Sequence, residues 1–308
     1  MVPTIRCLNS QAVGPTGRFR NRLILGTATF GMDYGATNSR GELSLGEIRL
    51  ILDLCRENGI MELDTAEAYG NAEEKLGQAG VEDFCITTKI NLKPEEKPGA
   101  IEKKTNLCLK RLRVSKLKNL LIHNEERLRR PDAGALVEKM GKLATKGLIE
   151  NTGFSSYEPR RALRLCQLYG FRSVQLPANV LDNRLFEKDL LASFMKCSVE
   201  VQIRSVFLQG ILLRKPNREV DVPKQVLQAA EYFRKKCAEN NVHPVEGALH
   251  HVLHRSAMAK IVFGATNRKE ISQILKYTKQ KPKLVITKPI KWNRRNSPAN
   301  WGKHQMTR

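Results

Sequence analysis

Four side chains near the ends of successive apolar runs have types that can move a proton: Asp64, Tyr69, Lys89 and His123. A free tyrosine, with a pKa of about 10, holds its proton too tightly at neutral pH. A neighbouring ammonium such as Lys89 favours the phenolate and lowers that value. A carboxylate such as Asp64 keeps the lysine charged and in place, and His123 can orient a substrate oxygen or share the proton. Together they would protonate a carbonyl oxygen while a hydride reaches its carbon. No side chain supplies a hydride, so a nicotinamide cofactor is required. Each residue alone has a plainer reading: Asp64 as a loop cap, Tyr69 as packing, His123 as a core histidine. Lys89 is harder to dismiss, because a buried lysine is costly without a partner. The plain readings require coincidence on three consecutive strand ends.

These residues need a scaffold that gathers strand ends on one face. Eight short runs rich in apolar or β-branched residues read as buried parallel strands: 22–26, 60–65, 84–89, 119–123, 149–155, 173–179, 199–205 and 259–264. Amphipathic segments lie between them. In 44–59, Ile48, Ile51, Leu52 and Cys55 form one stripe, Ser44 and Glu47 a capping box, and Asn58-Gly59 a stop. Alternation of this kind implies βαβ units, and eight of them suggest a closed (β/α)₈ TIM barrel, whose active site lies where strands end and βα loops begin. Asn71 and Glu74 read as a capping pair for the helix after Tyr69, which frees Asp64 and Tyr69 from starting that helix. The expected division is an N-terminal extension over 1–21, a barrel over 22–280 and a basic tail over 281–308. Residues 211–223 are expected to form a loop over the barrel mouth.

Composition narrows the class. The chain has 308 residues, 41% of them hydrophobic, and no run of the roughly 18 apolar residues that a membrane span needs. Seven scattered cysteines without a CxxC pair favour free thiols in a reducing compartment, and a cytoplasmic location is expected. The net charge is +22, of which the acid-free ends, 1–32 and 271–308, carry 14. Such a field suits anionic partners or a solvated basic tail. Nucleic acid is an unlikely partner, although Trp292 and Trp301 interleave with the bases of the tail. The arginines of the first segment hint at a transit peptide without showing its helical stripe. His250 and His254, at i and i+4, resemble half a zinc site but lack the companion glutamate and a third ligand, so no metal is expected.

The stretches DTAEAYG (64–70), TK (88–89) and LIH (121–123) resemble the aldo-keto reductase superfamily, over about Arg22 to Lys279. The resemblance implies a (β/α)₈ barrel, the tetrad Asp64, Tyr69, Lys89 and His123 with Tyr69 as general acid, and NADPH as cofactor more often than NADH. It places Ser155, Ser156 (where the family has asparagine) and Gln175 at the nicotinamide amide. Arg204 stands where an aromatic stacks on the nicotinamide, followed by Ser205. Leu208, Gln209 and Gly210 would approach the pyrophosphate. Gly264, Thr266, Arg268, Glu270 and Gln273 fall in the adenosine-phosphate segment, with Ile274 in place of the usual asparagine. Gly26 and Thr27 join the cofactor set, and Asn179 is expected at the substrate. The segments 25–38 and 204–213 look like a bacterial subset linked to sugar or polysaccharide metabolism. A small anionic or sugar-linked carbonyl compound is therefore the expected substrate. Some relatives act mainly as cofactor-bound partners, the alternative for this chain. The oligomeric state is not legible.

Overall fold

The computed structural model describes residues 20–216, 221–256 and 258–280, with 283, 285, 289–292, 296, 298 and 301 beyond them. Eight parallel strands close in chain order into a barrel. They are β1 (Leu23–Gly26), β2 (Glu62–Asp64), β3 (Cys85–Ile90), β4 (Leu117–Ile122), β5 (Ile149–Ser155), β6 (Ser173–Pro177), β7 (Glu200–Arg204) and β8 (Lys260–Gly264). Each expected strand lies within two residues of the observed one at either end. Closure pairs Leu23 with Ile261 and Gly26 with Gly264.

The helices are α1 (Ala28–Gly31), α2 (Leu45–Glu57), α3 (Ala72–Ala79), α4 (Ala100–Leu112), α5 (Ala133–Thr145), α6 (Pro159–Tyr169), α7 (Leu190–Lys196), α8 (Lys224–Glu239), α9 (Pro244–Arg255) and α10 (Arg268–Thr278). Helix α2 starts on the expected capping box, with Ser44 and Glu47 bonded reciprocally. Helix α3 does not start as expected. Asn71 is its N-cap, but at φ −97° and ψ 19° its side chain makes no capping bond. A capping side chain normally sits on extended backbone. The turn is made instead by the chain just before it: the Ala72 N–H donates to the Tyr69 carbonyl at 3.0 Å. Tyr69 therefore helps start the helix through its backbone.

Apolar side chains fill the shell between strands and helices, but the barrel interior is polar. The Gln202 amide donates to Glu200 at 2.9 Å and accepts from Gln175 at 3.3 Å, while Asn119 donates to the Thr87 hydroxyl at 2.9 Å. Below these, Lys118 and Lys260 bridge Glu62 and Glu200, closing the N-terminal end with four alternating charges. Cys55, Cys108, Cys166, Cys197 and Cys237 are free thiols. Cys85 is disulfide-bonded, which departs from the expected set of free thiols.

Residues 211–214 sit at the barrel mouth, where Arg214 donates to the Thr37 carbonyl at 2.8 Å. Residues 217–220 of the expected loop lie outside the described residues. So do 1–19, and with them nearly all of the expected N-terminal extension. The described part of the C-terminal segment lies on the barrel: Trp292 packs against the core and Trp301 is buried in it. Among the described residues, no helix is long and apolar enough to cross a membrane.

Candidate active site

A cavity of about 850 Å³ opens at the C-terminal ends of the strands. Asp64, Tyr69, Lys89 and His123 all line it. Asp64 ends β2 and pairs with Thr87 of β3, whereas Lys89 pairs with Leu121 of β4. Parallel strands with this register bring the two side chains together inside the mouth. The Lys89 ammonium lies 2.6 Å from the Asp64 carboxylate and donates to the Thr65 carbonyl at 2.7 Å. Asp64 also accepts from the Gln175 amide at 2.7 Å. Tyr69 is reached by a tight turn that two glycines permit. A Cβ on Gly70, at φ +56°, would overlap the Gly31 carbonyl, and one on Gly31 would overlap the Tyr69 carbonyl. The α1 turn thus packs directly on the loop that carries Tyr69. The Tyr69 ring stands edge-on to His123 at 6.1 Å, with the Lys89 ammonium 5.1 Å from its centroid.

The electrostatics differ from the sequence expectation at one point. Burial, then the nearby Asp64 charge, push the Tyr69 hydroxyl well above its ordinary 10. The cation that pulls it down is Arg204. Lys89 was expected to lower it, but the lysine charge is bound to Asp64, whose own charge acts the other way. Burial also lowers Lys89, opposed by Asp64. His123 is lowered to about 3 by burial and by the Lys89 and Arg204 charges, so its imidazole is neutral at pH 7. The site thus holds a protonated phenol beside a neutral imidazole, above a buried ion pair. That arrangement can donate one proton to an oxygen in the cavity.

Most of the expected cofactor residues also line the cavity. Gly26 and Thr27 do so from the end of β1, and Ser155, Ser156, Gln175, Arg204 and Ser205 from β5 to β7. Leu208 and Gly210 follow in the loop after β7, and Gly264, Thr266, Glu270 and Gln273 surround the start of α10. Several are already engaged. Ser156 donates to the buried Glu125, and Gln175 donates to Asp64 and Gln202. The Arg204 guanidinium lies 4.0 Å over the Tyr157 ring. Glu270 accepts from the Thr266 N–H at 2.7 Å and its hydroxyl at 3.1 Å.

Two expected residues stand apart. Arg268 is exposed and does not line the cavity. Asn179 is fully buried, and its amide serves local turns, donating to the Ser205 carbonyl and accepting from Leu181 and Asp182. It does not line the cavity either. His250 is a bonded core histidine, joined to the Tyr277 carbonyl at 2.9 Å and accepting from the Lys283 N–H at 3.1 Å.

The cavity also holds Tyr34 and Tyr157, which motif reading missed. Tyr34 is pushed up to about 12 by burial and then by Tyr157, with Arg204 acting the other way. Its place in the βα loop after β1 was the available signal.

The cavity fits a nicotinamide dinucleotide along most of its length. It runs from the tetrad to the N-terminus of α10, and a Cβ on Gly264 would meet nothing within 4 Å, leaving the backbone open there. Ser205, Leu208 and Gln209 hold left-handed backbone at φ 61°, 49° and 54°. Non-glycine residues keep such conformations where their surroundings over-determine them, often at ligand clamps. At the far end, Glu270 places a carboxylate on the Thr266 donors, where a further phosphate would meet like charge.

A closed parallel barrel with a cavity at this mouth is a scaffold shared by many activities, and sequence comparison gives it a family. The model of the aldo/keto reductase family matches residues 22–286, and the chain belongs to that family. A probable voltage-gated potassium channel subunit beta from Arabidopsis thaliana is 27% identical over 229 residues, 66% of this chain and 67% of that protein. Among solved structures, the holo form of aldo-keto reductase AKR11C1 from Bacillus halodurans superposes with a TM-score of 0.71 at 18% identity, covering 90% of this chain and 95% of that one. The glycerol dehydrogenase AKR11B4 from Gluconobacter oxydans gives 0.63 at 22% identity, covering 82% and 85%. As a family member, the chain is an oxidoreductase that acts on carbonyl groups with a nicotinamide cofactor.

Proposed function

We propose that this protein reduces a small aldehyde or ketone to an alcohol, with Tyr69 as the proton donor. The supporting observation is the Asp64–Lys89 pair at 2.6 Å beneath a buried, protonated tyrosine in the large cavity. A nicotinamide cofactor, NADPH or NADH, would be held by the residues from Ser155 to Gln273 that line the cavity and would supply the hydride when bound. Tyr69 gives its proton to the carbonyl oxygen, and neutral His123 orients that oxygen by a hydrogen bond. Asp64 fixes Lys89, and Gln175 fixes Asp64, so the donor keeps its place as water leaves. Solvent returns the proton to Tyr69 after the alcohol departs. The expected substrate is an anionic or sugar-linked carbonyl compound, and the expected location is the cytoplasm.

NADPH is the cofactor that family resemblance favours, while the Glu270 carboxylate favours NADH. Glu270→Gln is therefore expected to tighten NADPH relative to NADH by about tenfold, as removal of one close like charge does. Fluorescence titration of both cofactors checks this, and an unchanged ratio would exclude Glu270 as the selector. The function itself is tested by following oxidation of reduced cofactor optically across a panel of carbonyl compounds. A second reading draws on the channel-subunit relative: a cofactor-bound partner protein with little turnover. Tight cofactor binding without oxidation across the panel would favour that reading.

A further inference from the structure

Arg204 ends β7 inside the cavity. Its guanidinium is stacked 4.0 Å over the Tyr157 ring, with one N–H donating to the Ser156 carbonyl and another to the Ser205 hydroxyl, both at 3.2 Å. It lines the same cavity as Tyr34, Tyr69, Lys89 and His123, and its charge acts on all four. Among the described residues it has no carboxylate partner. The acids on the same rim are taken: Glu125 pairs with Arg161 at 3.0 Å, and Glu158 with Arg184 at 3.1 Å. Asp64 is neutralised by Lys89, and His123 carries no charge at pH 7. Among the described residues around the tetrad, Arg204 is therefore a positive charge with no paired carboxylate. A guanidinium has five N–H donors in a planar fork, and two of these are used. Stacking fixes the plane before any ligand arrives, so little ordering entropy is lost on binding.

We infer that Arg204 is the anchor for an acidic group on the substrate, and that the natural substrate is an anionic carbonyl compound. This rests on the carbonyl-reducing reading above and adds the substrate class. The acid, a carboxylate or a phosphate, binds the free donors of Arg204 while the carbonyl oxygen lies at Tyr69. Tyr34, protonated at neutral pH, lines the same cavity as Arg204 and Tyr69.

The test uses matched pairs on the full chain: succinic semialdehyde against its methyl ester, and glyceraldehyde 3-phosphate against glyceraldehyde. The two pairs separate carboxylate from phosphate. At least one charged member should exceed its neutral partner in kcat/KM by about tenfold or more, chiefly through KM, as one charge-assisted contact allows. Arg204→Met should abolish that preference, and Arg204→Lys should restore part of it. Because the same position is expected beside the nicotinamide, fluorescence titration of the cofactor in parallel separates the two roles: the preference should change by a larger factor than the cofactor Kd. Neutral members favoured in both pairs would overturn the inference. So would a preference that survives Arg204→Met, or a loss of cofactor affinity equal to the loss of preference. If no carbonyl is turned over, the reading as a reductase fails separately. Calorimetric titration of the cofactor complex with succinate and with inorganic phosphate then decides the Arg204 assignment. Anion binding that Arg204→Met removes sustains it, and no binding, or binding that the substitution spares, overturns it.

Discussion

At the scale of single residues, the site depends on groups kept in the protonation state opposite to the one their sequence neighbours suggest. Tyr69 has a lysine beside it and is still held protonated, because Asp64 takes the lysine charge and burial does the rest. His123 is held neutral down to about pH 3. With the phenol protonated and the imidazole neutral throughout, kcat for reduction should be flat from about pH 5 to 8, since neither group titrates in that window. Burial lowers Lys89 from its ordinary value, and Asp64 opposes that shift. A pH–rate profile checks this, and a step near the ordinary histidine value of 6.5 would assign the proton to His123 instead. The tetrad was legible because side-chain type and strand-end position are both written in the sequence. Protonation states were not, because they depend on burial and on Arg204, which lies 115 residues beyond Lys89.

At the scale of elements, the strands were readable to within two residues because buried parallel strands are uninterrupted apolar runs. The helices α1 and α7, of four and seven residues, were not, since so few positions barely register a 3.6-residue period. The polar barrel interior was also hidden. Asn119, Gln175 and Gln202 lie among apolar neighbours in their strands, and only closure shows that they meet. The element that presents Tyr69 is the turn between β2 and α3, locked against α1 by Gly31 and Gly70. Gly70→Ala should destabilise the fold by about 1–3 kcal/mol, through left-handed strain and overlap with the Gly31 carbonyl. It should also lower kcat by displacing the phenol. Urea denaturation with parallel turnover measurements reads both effects, and a variant with wild-type midpoint and kcat would refute this role for the turn.

At the scale of the whole molecule, the barrel is stoppered at one end by Glu62, Lys118, Glu200 and Lys260 and open to the cavity at the other. Its pH response follows from histidines buried in the neutral form: His123 is lowered to about 3 and His251 to about 4, in both cases mainly by burial. Below the ordinary value of 6.5 the unfolded chain binds protons that the folded chain refuses, so stability is lost as pH falls from 6.5 towards 4. The loss is roughly 1.4 kcal/mol per pH unit for each such histidine. Thermal melts between pH 8 and 4.5 should show a plateau and then a decline, and a midpoint that rises on acidification would contradict the burial assignment. The surplus of basic residues at the two ends was plain in the sequence, whereas the burial of Trp301 in the core depends on how the chain folds back. The proposed reduction has Tyr69 deliver the proton. The most direct measurement is single-turnover oxidation of bound reduced cofactor by the best carbonyl substrate, in the wild type and in Tyr69→Phe. The rate should fall by about 10²- to 10⁴-fold with cofactor Kd unchanged, whereas a Tyr69→Phe enzyme turning over at the wild-type rate would contradict the account.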